Sequence, residues 1–71
     1  MSKIVKVIEV LAQSNESWED AAQKAVTEAS KSVRNIKSIY IKEKSAKVTD
    51  GKISKYRITA KISFVIDSAQ E

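Results

Sequence analysis

The sequence predicts an α+β subunit of β-α-β-β order, one amphipathic helix against a three-stranded antiparallel sheet. Three features carry this. A Val/Ile-rich run opens the chain, a helical-period stretch follows a capping signal, and two long β-prone runs flank Asp50-Gly51.

Residues 3–12 are rich in Val and Ile, with Lys6 and Glu9 on opposite faces, which describes a strand apolar on both sides. One helix covers only one of them. Residues 13–16 are turn types. Ser17 followed by Asp20 then fits a capping box, with acidic Glu19 and Asp20 in the first helical turn. From Trp18, the residues Ala21, Ala22, Ala25, Val26, Ala29 and Val33 recur at helical spacing and form a narrow stripe of small side chains. This spacing predicts a helix of roughly 18 residues closed by Arg34 and Asn35. Trp18 reads as packing bulk at one end of the stripe.

Residues 36–48 and 52–66 are the second and third strands, and Asp-Gly between them is a two-residue hairpin signal. In the last strand Tyr56, Ile58, Ala60, Ile62, Phe64 and Ile66 alternate with Lys55, Arg57, Thr59, Lys61 and Ser63, so the first set faces the helix. Strands of this length far exceed the usual five or six residues or so, and the hairpin should project past the helix. Its exposed edges invite partner strands.

Size and composition narrow the function. A 71-residue chain buries only about 60% of the surface its unfolded form exposes. The usual supplements are disulfides, a metal or self-association, and the chain has neither cysteine nor histidine, which leaves self-association. The same absence removes the thiol nucleophile, the thiolate zinc site and the commonest general base, so the reading is non-enzymatic. The single glycine, Gly51, gives no phosphate cradle. No apolar run reaches membrane-spanning length, and a soluble cytoplasmic protein without membrane association is expected.

The net charge of +4 is uneven, because residues 31–61 carry ten Lys/Arg against Glu43 and Asp50. This stretch could attract phosphate-bearing ligands or nucleic acid, but lysines interspersed along strands also guard edges against aggregation. With no stacking aromatics between them and no recognition motif, nucleic acid is not the expected partner. Glu16, Glu19, Asp20, Asp50 and Asp67 could hold a hard cation such as calcium, yet no loop spacing gathers them within one chain. A site shared between subunits stays open, with capping and turn formation as the ordinary roles of Asp20 and Asp50.

The residues Lys6-Val7-Ile8-Glu9, Ser17-Trp18-Glu19-Asp20-Ala21-Ala22, Arg34-Asn35-Ile36, Asp50-Gly51-Lys52 and Tyr56-Arg57-Ile58 together resemble the dodecin family. The likeness runs over residues 2–66 and leaves 67–71 as a tail on a single domain. It implies a curved sheet wrapped on one helix, a hollow homododecamer, and storage of a flavin (FMN, FAD or riboflavin) bound in pairs. In flavin-binding members a tryptophan just past the helix stacks on the ring, and a glutamine in the last strand bonds its polar edge. Those positions match Ser38 and Arg57, so a large π surface is absent and an amide is replaced by a donor-only cation. Stacking of a base on an aromatic is worth about 1–3 kcal/mol, so flavin affinity should fall by roughly tenfold or more. Ser38, Tyr40 and Arg57 remain the candidate ligand residues by position, with a solvated strand face as the ordinary alternative. The functional expectation is therefore a small-ligand carrier of flavin type with an altered pocket, or else a structural or calcium-type assembly that binds no flavin.

Overall fold

The computed structural model describes residues 3–67; residues 68–71 of the anticipated tail lie outside them. Four elements follow in the order anticipated: β1 Lys3–Ser14, α1 Trp18–Ala29, β2 Ile36–Thr49 and β3 Lys52–Asp67. The sheet order is β1-β3-β2, antiparallel throughout. The central strand is thus the last in sequence. Asp67, placed in the tail from sequence, instead ends β3 opposite Lys3.

Each strand divides its side chains between two faces. One face of β3 carries Ile58, Ala60 and Ile62, all buried, and α1 packs Ala21 against Ile58 and Ala60. Val10 and Ala12 of β1 and Ile39 and Ile41 of β2 surround this core. The small helix residues let the backbone lie close to the sheet. Among the described residues no element covers the opposite face. It presents Val5, Val7, Glu9, Leu11 and Gln13 from β1 in register with alternate residues of β3.

The start of α1 follows its sequence signal. The Ser17 hydroxyl accepts from the Asp20 N–H at 2.9 Å. The reciprocal half of the capping box is replaced, because the Asp20 carboxylate accepts from the Ser14 hydroxyl at 2.5 Å. Two boundaries differ from expectation. Gln13 and Ser14 are not a turn; they finish β1 opposite Arg57 and Tyr56, because β3 is long enough to go on pairing them. The helix spans 12 residues and ends at Ala29, well before Arg34. There the Val26 carbonyl accepts both the Ser30 N–H at 2.9 Å and the Ser30 hydroxyl at 2.7 Å, and Lys31 and Ser32 tighten into i→i+3 bonds, the tighter turn common at a helix end. Val33 therefore lies beyond the helix, and Asn35 turns the chain with φ 63°.

The hairpin turn has positive φ at both central residues, Asp50 (54°) and Gly51 (75°), the two-residue geometry that suits strand twist. Register shifts interrupt the β2–β3 ladder at Ile36/Ser38, Ile41/Glu43 and Lys47/Val48, and such bulges bend a strand and increase its twist. Beyond Ser14 the hairpin runs on without β1, as a two-stranded ribbon. The molecule is consequently long and thin, 55 × 20 × 12 Å.

Candidate functional site

The three residues singled out from sequence all stand on the open face. Ser38 lies opposite Ser63, Tyr40 opposite Lys61, and Arg57 opposite Ser45. Along β3 these rows are at positions 63, 61 and 57. At a rise of about 3.3 Å per residue, Ser38 and Arg57 are some 20 Å apart. One subunit therefore gathers them on one face but not into one pocket.

Ser38 and Ser63 share a hydrogen bond between their hydroxyl oxygens at 2.5 Å, so the stacking position of the resemblance holds a small polar cross-strand pair. Tyr40 is 65% exposed and offers the only ring among the open-face residues matched across the strands. A flavin clamped by a ring at position 38 does not fit these residues.

Arg57 lines a cleft of about 530 Å³ with Leu11 and Gln13 of β1, Ser45 of β2 and Thr59 of β3. The row Gln13–Arg57–Ser45 is in register across all three strands. The sequence pattern alone does not assign Leu11, Gln13, Ser45 or Thr59 to the site. The available signal was the alternation of β1 continued past Ala12, which puts Gln13 on the face of Leu11; the pairing register that sets it beside Arg57 is a tertiary fact. Lys42 sits in the Ile41/Glu43 register shift and reaches across the face to Glu9 at 3.3 Å. Lys47 and Lys55 stand directly opposite each other one row beyond Arg57.

Trp18 is held by packing and by its own polar end. Its Nε1–H donates to the Ser45 carbonyl at 2.9 Å, its ring meets Tyr56 edge-on at 4.9 Å, and the Lys44 ammonium lies 5.7 Å from the ring centroid. It joins the helix to β2 and β3 on the covered face, as its structural reading requires.

The acidic candidates are spread out. Asp20 is held by Ser14 and by Lys24 at 3.2 Å. The Ser14 hydroxyl first, then the Lys24 ammonium, keep its carboxyl below the ordinary value of 3.8 against the desolvation that would raise it. Asp50 forms the turn, and Glu16 and Glu19 are exposed. Among the described residues no group of three or more acidic side chains converges. Among the described residues no helix is long and apolar enough to cross a membrane.

A helix closing one face of a three-stranded antiparallel sheet, with a cleft beside Arg57, defines a small α+β fold. The sequence profile of the dodecin family matches residues 4–67. A calcium dodecin from Mycobacterium tuberculosis is 40% identical over 68 residues, covering 94% of this chain and 94% of its own. The chain belongs to the dodecin family. Among solved structures, the M. tuberculosis calcium dodecin, described as having a novel calcium-binding site, is 38% identical with a TM-score of 0.77, over 96% of this chain and 97% of that one. A variant of the Thermus thermophilus dodecin matches with a TM-score of 0.89 at 24% identity, over 94% of this chain and all of its own. The dodecin from Streptomyces davaonensis gives 0.88 at 22%, over 96% and 100%.

Proposed function

We propose that the chain is a non-enzymatic subunit of a closed homododecamer that holds a small ligand on the open sheet face, at a pocket rebuilt around Arg57. One observation carries this reading: Val5, Val7 and Leu11 are 58%, 55% and 81% exposed, while among the described residues the buried apolar core is four residues, Ala21, Ile58, Ala60 and Ile62. A core that small leaves an isolated chain marginal. Burying the apolar rows of β1 against further copies supplies the missing stability, and it would bring open faces of neighbouring subunits together over the Arg57 cleft. Ser38, already bonded to Ser63, offers no stacking surface, so flavin would bind weakly. Native mass spectrometry with an absorbance scan between roughly 350 and 500 nm, where flavins absorb, tests it: the expected result is a colourless dodecamer. A yellow dodecamer would retain the assembly and refute the rebuilt pocket, and a monomer would refute the whole reading.

A second reading, a calcium-type assembly, is favoured by the 40% identity to a calcium dodecin. Because no acidic trio converges among the described residues, such a site would draw carbonyl oxygens or a second copy into its ligand shell. Dissociation of the dodecamer by a chelator, reversed by calcium, would establish it; indifference to chelator would remove it.

A further inference from the structure

The tip of the β2–β3 hairpin sets a reactive pair of groups side by side in the open. Asp50 and Gly51 are both exposed, and both hold positive φ, 54° and 75°. A Cβ built on Gly51 meets nothing within 4 Å, so the approach to its backbone nitrogen is clear. Among the described residues neither the Gly51 N–H nor the Asp50 carboxyl is tied down. The flanking ladder pair is Thr49 with Lys52, and no turn or loop backbone bond uses the Gly51 N–H. The side-chain bonds nearest the turn join Thr49, Ser54 and the Lys47 carbonyl, and the ion pairs use Asp20, Glu28 and Glu9. Asp20 is the contrast, since Ser14 and Lys24 hold its carboxylate. Behind the turn the ribbon has no third strand, because β1 stops opposite Tyr56. Two strands alone are marginal in water, so the last rows open at low cost without disturbing the core of Ala21, Ile58 and Ala60.

We propose that Asp50-Gly51 is a spontaneous modification site at which aspartate converts to isoaspartate through a cyclic imide. The Gly51 nitrogen attacks Asp50 Cγ and a C–N bond forms. One carboxylate oxygen leaves as water, carrying the amide proton and one proton from solvent. Water then adds to either ring carbonyl. Opening at Cγ restores aspartate, whereas opening at the main-chain carbonyl breaks its bond to Gly51 and leaves the chain running through Cβ and Cγ. No electrons are gained or lost. Glycine in the second position supplies the backbone freedom that ring closure needs. The product keeps one carboxylate but adds a carbon to the main chain, so the two-residue turn no longer fits the Thr49–Lys52 pair.

The test is to age the purified assembly at physiological temperature and neutral pH, then digest it with trypsin. Cleavage after Lys47 and Lys52 releases residues 48–52, and electron-based fragmentation of that peptide separates the two linkages. Isoaspartate at position 50 should accumulate at least about tenfold faster than at Asp20, with loss of one water marking the imide. Gly51→Ala should slow it by about tenfold, because a Cβ crowds the attacking nitrogen. If Gly51→Ala fails to fold, Asp50→Glu replaces it; its ring would need one more atom, and the isomer should not form. A rate at Asp50 no higher than at Asp20, an unchanged rate in either variant, or isomerisation only in urea-unfolded protein would overturn the proposal.

Discussion

Trp18 shows how one side chain ties helix to sheet. Its indole N–H reaches the Ser45 carbonyl and its ring packs on Tyr56, so Trp18→Phe keeps most of the packing and loses one hydrogen bond. A loss of about 0.5–1.5 kcal/mol is expected, read from denaturant unfolding at fixed protein concentration. Asp20 gives a pH signature. Its carboxyl lies below 3.8 in the folded chain, so its contribution is present above that value and disappears as pH falls through the depressed one. As pH falls below the ordinary value of 3.8, the Tm of the parent should therefore fall more steeply than that of Asp20→Asn, and parallel slopes would contradict this. At position 38 the prediction is a gain: Ser38→Trp with Arg57→Gln should raise riboflavin affinity by about tenfold or more, read by flavin fluorescence quenching. The chemistry of these residues was legible in the sequence because it depends on residue type and on local position, as with the Ser17 cap. The partners of Arg57 were not, because Gln13 and Ser45 reach it through strand register across 44 and 12 residues of chain.

At the scale of elements, the β2–β3 hairpin is the feature best specified by local chemistry. Asp50-Gly51 supplies two positive-φ positions, and a Cβ built on Gly51 meets nothing within 4 Å. Gly51→Ala therefore tests backbone strain alone, with an expected loss of about 1 kcal/mol in unfolding free energy. The helix end was less legible. The apolar period continues through Val33, but the Ser30 hydroxyl adds a second bond to the Val26 carbonyl and the bonds of Lys31 and Ser32 shorten to i→i+3. Periodicity reports which residues share a face, and local hydrogen bonding decides where the helix stops. The end of β1 was underestimated for a related reason. Gln13 and Ser14 have turn-type composition, yet β3 offers them partners and the ladder overrides it.

The whole molecule is a thin element 55 Å long, with an apolar row on β1 and a two-stranded ribbon that no third strand supports. Two strands alone are marginal in water. Length and composition already pointed to self-association, because they excluded the cross-links by which other small folds compensate. The dodecin pattern was legible across nearly the whole chain, whereas the ligand was not, because Ser38 and Arg57 depart from it at the positions that would have declared one. Leu11→Lys should break the assembly while leaving the covered core of Ala21, Ile58, Ala60 and Ile62 untouched, with the effect read as a shift to smaller species in size-exclusion chromatography. The most direct test of the account is the native mass of the purified protein. The small core and exposed β1 face predict self-association, and twelve subunits of 7.9 kDa, the number that the family resemblance implies, give a species of about 95 kDa; a stable 7.9 kDa monomer would contradict it.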